Sequence, residues 1–540
     1  MPTHLRDQRL SALDAAFVYL ESERMPMHIG AVHIYEGEIP FHAFRKDLDS
    51  KIHLVPRYRQ RLLPAPLALG HPAWEFDPDF DIKDHVHLLH LEKPGTEAQL
   101  RVMVEKVMQN ALDRSKPLWE QYVVHGLSGH RSAIISKVHH CLADGVSAVE
   151  LTNVILDPAP EGHSVEKPPF YAQELPGFRE RLVDAVWDDV LEEVTRWTDV
   201  QNDLMRLGKA FLPKQLRPTL SELRRLLGWF AGPIDRFPFN VHRLSGRRRV
   251  AWVNFSLAEL RDIRQAIGGT VNDVVLTALS AGLRRYVRSH GFSPYKRELR
   301  IMVPVNLRQE RERGRMGNQV SMLPVRVPLD VIDPLERHKV IVERTRALKD
   351  AHIADSLHLL MRLVQVAPPP VQALAGKAAQ LSPITALLSW LTSFPTVNTV
   401  CTNVEGPRLP LFTMGQPLAS LYPYLPVGPE MGVSFAFVSY NQRLYGAIVA
   451  DTAAMPDVAK MKRVFDQSYQ ELREAAGVAS QEDIVVKTQR RRRAKRPAKK
   501  VADQAARGKD AEQAAERRKP AAGPRRPGAS LRSPGGPRRH

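Results

Sequence analysis

The sequence predicts a mixed α/β protein that is built as two halves and followed by a basic tail. Strand-like and helix-like segments alternate before residue 160 and again after residue 241, and a charged stretch with helical periodicity separates these regions. The chain of 540 residues is also too long for one ordinary core. We therefore predict an N-terminal half over 1–160, a helical connector over 161–240, a C-terminal half over 241–486 and a disordered tail over 487–540.

The elements of the N-terminal half follow from the spacing of apolar residues. Apolar runs rich in β-branched residues predict strands, and apolar residues three or four positions apart predict helices. In order, the predicted elements are a strand at 29–35, helices at 41–52 and 101–109, strands at 121–125 and 133–138, and a helix at 146–156.

The connector begins at proline-rich breakers between 157 and 169 and continues as two charged helices at 179–207 and 219–230. In the C-terminal half, Thr270 is typical of a helix N-cap, and Asp273 suits the first turn of the helix that follows. The predicted elements of this half are strands at 247–253, 299–306, 323–327, 431–440 and 444–451, and helices at 257–266, 271–288, 333–351 and 455–476. Asn441-Gln442-Arg443 predicts the turn of a hairpin between the last two strands.

The formal net charge of +18 is concentrated in the tail. Residues 487–540 contain 19 lysines and arginines against 4 acidic residues, so the rest of the chain is nearly neutral. The tail has too few large apolar residues to fold alone. Its basic run at 490–496 is suited to anionic lipid headgroups, and a plain solvated tail is the alternative; no specific nucleic acid is expected.

Cys141 and Cys401 are the two cysteines, too few for a disulfide framework, which fits a reducing compartment. The N-terminus lacks the apolar core of a secretory signal, and no apolar run reaches the length of a membrane span. These features predict a cytoplasmic protein.

The strongest candidate for chemistry is the stretch from His139 to Gly145, which reads His-His-Cys-Leu-Ala-Asp-Gly after a predicted buried strand. A neutral imidazole is able to take a proton from a hydroxyl group near pH 7. A nearby carboxylate such as Asp144 is able to orient the ring or anchor the turn, and Gly145 permits close approach of a ligand. Together they indicate base catalysis.

Several segments, taken with this motif, resemble the bacterial wax ester synthase/diacylglycerol acyltransferase family over residues 8–475. The matching segments are 10–17, 26–30, Pro117-Leu118-Trp119, the His139–Gly145 motif, Asn272-Asp273, 304–308, 317–320 and 402–407. The last differs from the family's usual Ser-Asn-Val-Pro-Gly-Pro at Thr402 and Glu405. The resemblance implies two halves like chloramphenicol acetyltransferase, with a tunnel between them.

The resemblance also implies O-acyl transfer from acyl-CoA, as co-substrate, to diacylglycerol, to a fatty alcohol or to both. No cofactor and no metal are expected, because no metal-ligand spacing or dinucleotide glycine loop is present. His140 is the expected general base, and Asn272 is expected to stabilise the oxyanion or hold the acyl group. His139, Asp144 and Gly145 are expected to complete the catalytic site. Pro117, Leu118, Trp119 and Asp273 are the expected substrate-binding residues, although Trp119 fits the core equally well and Asp273 fits a purely stabilising role.

Three other functions remain open from the sequence. Condensation-type domains share the histidine motif but use carrier-bound acyl groups, and this chain lacks carrier or adenylation segments. A non-catalytic protein that binds lipid or coats lipid droplets is the second alternative, with the tail on an anionic surface. Nucleic-acid binding depends on the tail alone. For the enzyme, we expect peripheral contact with the inner membrane surface or with lipid droplets.

Overall fold

The structure is a computed structural model, and it describes residues 8–65, 70–142, 156–162, 165, 234–306, 320–350 and 397–480. Several predictions fall outside these residues and stay predictions. They are the helix at 146–156 except for its last residue, both connector helices, the tail, Asp144 and Gly145.

The first sheet has six strands in the order β11-β12-β1-β6-β5-β4. Its strands are β1 (His28–Tyr35), β4 (Val86–His90), β5 (Trp119–Leu127), β6 (Arg131–His139), β11 (Phe412–Thr413) and β12 (Gln416–Tyr424). The central strand β6 pairs antiparallel with β1 and β5, and its apolar run Ala133-Ile134-Ile135 is inaccessible to solvent on both faces of the sheet. A separate two-stranded sheet joins β2 (Gln60–Leu63) to β3 (Ala73–Phe76).

The second sheet also has six strands, in the order β7-β14-β13-β10-β8-β9. Its strands are β7 (Arg248–Ser256), β8 (Glu298–Asn306), β9 (Val320–Pro328), β10 (Thr399–Val404), β13 (Val433–Tyr440) and β14 (Arg443–Asp451). The predicted hairpin is confirmed: Tyr440 pairs with Arg443, and Asn441 and Gln442 both have positive φ angles. Two consecutive positive φ values are typical of the tight turns that match strand twist.

Strand β12 departs from the predicted division of the chain. Residues 416–424 belong to the predicted C-terminal half, yet β12 pairs with β1 in the first sheet, with Gly30 opposite Tyr424. The two halves are therefore joined by a strand that the second half contributes to the first, and the domain boundaries stay a prediction.

Seven α-helices in the described residues cover or flank these sheets. They are α1 (Ala12–Leu20), α2 (Phe41–Lys51), α3 (Glu97–Gln109), α4 (Leu257–Ile267), α5 (Val271–Ser289), α6 (Pro334–Asp350) and α7 (Val458–Ala475). Thr270 caps α5 as predicted, because its hydroxyl accepts the Asp273 N–H while Asp273 accepts the Thr270 N–H.

The described residues form two hydrophobic cores, and the core of the first sheet also includes Trp252 and Val449 of the second sheet. The first core contains Trp119 and Phe44, and the second contains Phe437 and Phe465. Among the described helices, none by itself has the length and apolarity of a membrane span. Helices α4 and α5 pass that test only together, as a pair bent by 93°.

Gly30 on β1 is closely packed against the neighbouring strand and helix α3. A Cβ atom at Gly30 would lie 2.1 Å from the Ser136 carbonyl oxygen and 2.6 Å from Met108 Cε of α3. Because the carbonyl belongs to the neighbouring strand, we expect Gly30→Ala to lower the free energy of unfolding by about 1–3 kcal/mol, as overpacking does. Urea denaturation measures this change. Gly428→Ala is the control, since its Cβ would meet only flexible methionine atoms at 3.7 and 3.8 Å.

Candidate active site

The histidine motif begins where β6 ends, at His139, so the sheet itself fixes the position of the first histidine. The His139 N–H donates to the Leu118 carbonyl at 3.0 Å, next to the start of β5. The His140 N–H then donates to the Met27 carbonyl at 2.8 Å, just before β1. The backbone of both histidines is thus held between the two strands that flank β6.

The His140 imidazole is partly buried and stacks on Phe17 of α1, with ring centroids 3.9 Å apart and planes 11° from parallel. Its Nδ1 atom is buried and has no hydrogen-bond partner in another described residue. Burial lowers the pKa of His140 to about 4, the nearby His139 lowers it too, and contact with its own main-chain carbonyl acts in the opposite direction. The ring is therefore neutral at pH 7, as a general base must be.

His139 is buried, with 1% of its surface exposed, and both ring nitrogens face protein groups. Nδ1 lies 2.9 Å from the Cys141 Sγ atom. Nδ1 accepts the Cys141 N–H at 3.1 Å, while Nε2 lies 3.4 Å from a carboxylate oxygen of Glu21. A backbone N–H only donates, so Nδ1 must be unprotonated and the ring proton must be on Nε2, facing Glu21. These contacts hold the turn and keep the His139 ring buried.

Glu21 is a site residue that the sequence analysis missed. It caps the C-terminal end of α1, and its side chain is 5% exposed. Oε2 accepts hydrogen bonds from Arg114 Nε at 3.1 Å and Nη2 at 2.8 Å, and Oε1 accepts the Met27 N–H at 3.1 Å. His28 Nε2 is 3.5 Å from Oε1.

The ionisation of these groups reflects burial and pairing. Burial by itself would raise the pKa of Glu21, but His139, Arg114 and the Met27 N–H outweigh it and lower that pKa to about 2. Burial lowers the pKa of His28 to about 3, and the positive charge of Lys137 adds to this effect. At neutral pH Glu21 is therefore ionised, and His28 and His140 are neutral.

Asn272 and Asp273 lie in the first turn of α5, beside the second sheet. The Asn272 Oδ1 atom is buried without a hydrogen-bond partner among the described residues. Both oxygens of Asp273 are engaged within the protein: Oδ2 binds Thr270, and Oδ1 accepts the Thr345 hydroxyl at 2.8 Å. Of the two predicted roles of Asp273, the contacts favour the stabilising one, and only Asn272 keeps a free polar atom.

Pro117, Leu118 and Trp119 are all buried where the chain enters β5. Trp119 is inaccessible to solvent, donates its indole N–H to the Tyr58 carbonyl at 2.8 Å, and stacks on His85 at 4.6 Å. Its polar atom is thus satisfied within the protein, so of the two roles left open by the sequence the structure places Trp119 in the core. The Leu118 carbonyl nevertheless contacts the site, because it accepts the His139 N–H.

The structure brings His139, His140 and Leu118 together, and it places Asn272 on helix α5, beside the second sheet. No hydrogen bond joins His140 to Asn272 in the described part of the chain. Asp144 and Gly145 lie outside the described residues. Within residues 8–480, apart from the gaps given above, no group of three or more His, Cys, Asp or Glu side chains is arranged to hold a metal ion.

Comparison with known proteins gives two family matches along the chain. The sequence model of the wax ester synthase/diacylglycerol acyltransferase catalytic domain matches residues 10–275, and that of the C-terminal domain of the same proteins matches residues 316–473. The first match contains His140 and Asn272, so both candidate catalytic residues fall in the region described as catalytic.

Two curated relatives from Mycobacterium tuberculosis cover most of the chain. The probable diacylglycerol O-acyltransferase tgs1 is 31% identical over 466 residues, which span 84% of this chain and 93% of the relative. The probable diacylglycerol O-acyltransferase tgs2 is 29% identical over 479 residues, which span 86% and 98%.

Solved structures show the same architecture. The wax ester synthase/diacylglycerol acyltransferase from Marinobacter aquaeolei VT8 superposes with a TM-score of 0.59 at 25% identity, covering 87% of this chain and 100% of that structure. A starter condensation domain of rhizomide synthetase superposes with a TM-score of 0.51 at 14% identity, covering 88% and 95%. The second likeness concerns the fold alone. Together these comparisons confirm the predicted fold class.

Proposed function

Because this chain belongs to the wax ester synthase/diacylglycerol acyltransferase family, we propose that it transfers a long-chain acyl group from acyl-CoA to diacylglycerol. The products are triacylglycerol and free CoA. The observation that carries this proposal is His140, a neutral imidazole directly after β6 within the catalytic match. A thioester is already activated, so the enzyme needs a base for the alcohol and a donor for the oxyanion rather than a covalent intermediate.

His140 is the general base in this mechanism. Nδ1 is buried, so Nε2 is the ring nitrogen that we propose presents its lone pair to the acceptor alcohol. Nε2 takes the hydroxyl proton as the alcohol oxygen attacks the thioester carbon. When the tetrahedral intermediate collapses, the carbon–sulfur bond breaks and the imidazolium returns its proton to the CoA thiolate.

Asn272 is the proposed donor to the oxyanion. The Oδ1 atom of its amide is buried without a hydrogen-bond partner among the described residues, in the first turn of α5, where the helix N-terminus favours negative charge. The oxygen and nitrogen of a side-chain amide exchange places by a simple flip, so the amide is able to present its NH₂ group to the ligand. A well-placed donor of this kind typically contributes about 10²–10³-fold to the rate.

The proposal extends to acceptor and location. We propose that long-chain alcohols serve as a second acceptor and yield wax esters, as the name of the Marinobacter protein says of that enzyme. We also propose that the protein is cytoplasmic and works in peripheral contact with the membrane or with lipid droplets. The surplus of lysine and arginine in residues 487–540 supports this location, because anionic headgroups attract such segments.

The decisive experiment offers radiolabelled palmitoyl-CoA to the full chain, with a diacylglycerol and hexadecanol in competition. We expect labelled triacylglycerol, a smaller amount of wax ester, and one free CoA thiol for each ester bond formed. Retention of both lipids without release of CoA would favour the lipid-binding or droplet-coating alternative instead. Transfer from an acyl carrier protein, with no transfer from acyl-CoA, would favour the condensation-type alternative.

A further inference from the structure

We propose that Glu21 is a positioning residue for the general base: it holds His139 and Met27, and through them it fixes the turn that presents His140. This inference rests on the proposed acyl transfer. Glu21 is not expected to touch the substrate, because its side chain is 5% exposed and both oxygens are occupied by protein donors.

The first path from Glu21 to His140 runs through His139. The Nε2–H group of His139 faces Oε1 of Glu21 at 3.4 Å. With the ring proton held on that side, Nδ1 is free to accept the Cys141 N–H at 3.1 Å. The Leu142 N–H closes the same turn on the His139 carbonyl at 3.0 Å. Since His140 is the residue between His139 and Cys141, these bonds fix its backbone on both sides.

The second path runs through Met27. Its N–H donates to Oε1 of Glu21 at 3.1 Å, and its carbonyl accepts the His140 N–H at 2.8 Å. A shift of the Met27 peptide would therefore move the His140 backbone directly. Oε1 of Glu21 therefore contacts both His139 and Met27, which hold the His140 backbone, and Arg114 donates to Oε2.

Helix α1 links this network to the imidazole ring itself. Phe17, which stacks on His140, accepts the Glu21 N–H through its carbonyl at 3.2 Å. Arg114 also donates to the Val18 carbonyl at 2.8 Å and so ties the end of the same helix to the carboxylate. The last turn of α1 therefore orients two successive histidines, one through a ring stack and one through a carboxylate.

The first test measures kinetics in Glu21→Gln and Glu21→Ala. Glutamine keeps an acceptor for the Met27 N–H but loses the charge that faces Arg114, whereas alanine removes every contact. We expect kcat to fall on the order of 10²-fold in Glu21→Ala, as for small displacements of a catalytic group, with KM for palmitoyl-CoA nearly unchanged. Glu21→Gln should recover part of the loss. Glu23→Gln, an exposed carboxylate two residues away, should behave like the parent.

The second test measures how firmly the turn at Cys141 is held, and it does not require acyl transfer. Cys141 and Cys401 are the two thiols of the chain, and both are buried. In a Cys401→Ala background the reaction with an aromatic disulfide reagent reports on Cys141 alone. We expect Glu21→Ala to speed this reaction by about tenfold or more, because the turn loses a buried anchor. Thermal unfolding shows whether each variant is folded. If Glu21→Ala is unfolded, the thiol reaction is measured in Glu21→Gln instead.

The outcomes separate the two proposals. Faster Cys141 modification together with lower kcat and constant KM supports the role of Glu21. A parent protein without acyl transfer, but with Cys141 modification that responds to Glu21, overturns the proposed function and leaves Glu21 as the anchor of the turn only. Glu21 variants that match Glu23→Gln in both kinetics and thiol reaction overturn the positioning role, as does a loss of kcat with an unchanged thiol reaction.

Discussion

Replacement of His140 by alanine is expected to lower kcat for acyl transfer by about 10²–10⁴-fold, the usual contribution of a general base. The substitution removes the stack on Phe17 but keeps the main-chain N–H bond to the Met27 carbonyl, so the fold should survive the change. Release of CoA from palmitoyl-CoA in the presence of diacylglycerol measures the loss. His42→Ala, which removes an exposed histidine from α2, should leave the rate unchanged.

The pH dependence of the parent enzyme gives an independent check on His140. A base must be unprotonated, and burial lowers the pKa of His140 to about 4, so protonation removes activity only as the pH falls toward 4. We expect kcat/KM to stay level from pH 7 to about pH 5 and to fall below that, since kcat/KM follows the free enzyme. An acid limb near the ordinary histidine value of about 6.5 would contradict a buried base at this position.

The elements that carry the histidine motif were predictable because their signals are local. The run Ala133-Ile134-Ile135 predicts a buried strand, and β6 extends only a few residues beyond the predicted bounds. Likewise, Thr270 and Asp273 are three residues apart, the spacing of a capping box, and the structure shows both of its hydrogen bonds.

Strand β12 was missed because its signal is not local. Pro417 and Pro423 make the segment read as a loop, since proline removes a donor from a strand. Its partner β1 lies nearly four hundred positions earlier in the numbering, where Ala31 pairs with Pro423. Pairing over such a distance depends on the final arrangement of both halves, which neither segment encodes alone.

Glu21 was missed for a related reason. In the sequence nothing distinguishes Glu21 from Glu23, two carboxylates in the same short stretch. Their difference arises from burial: Glu21 meets His139 and Arg114, residues that are remote in sequence, while Glu23 is exposed. The core role of Trp119 likewise depends on a contact remote in sequence, because the Tyr58 carbonyl that accepts its indole N–H lies 61 residues away.

The ion pair between Arg248 and Asp451 is expected to have the largest effect on stability. Arg248 Nη1 donates to Asp451 Oδ2 at 2.6 Å, and the two side chains are 2% and 0% exposed. The carboxylate also accepts backbone N–H groups of Ser245, Gly246 and Ala453. Removing one partner of a buried pair leaves an uncompensated charge, so Asp451→Asn should lower the free energy of unfolding by about 3–5 kcal/mol.

Chemical denaturation measures this loss, and an exposed pair provides the control. Glu405 and Arg408 are 71% and 77% exposed, so Glu405→Gln should change the free energy of unfolding by less than about 1 kcal/mol. The double variant Arg248→Met/Asp451→Asn has no unpaired charge and keeps an amide oxygen for the backbone N–H groups, so part of the stability should return. A small effect in Asp451→Asn, equal to that in Glu405→Gln, would contradict an uncompensated buried charge.

The same pair connects stability to the active site. Arg248 lies on β7 of the second sheet, yet its Nη2 donates to the Arg24 carbonyl at 2.7 Å, in the loop between α1 and β1. That loop also contains Met27, which accepts the His140 N–H. Loss of Asp451 should therefore release Arg248 from its partner and loosen the loop that holds the base. We expect Asp451→Asn to lower kcat even at temperatures where the variant is fully folded, whereas Glu405→Gln should retain the parental rate.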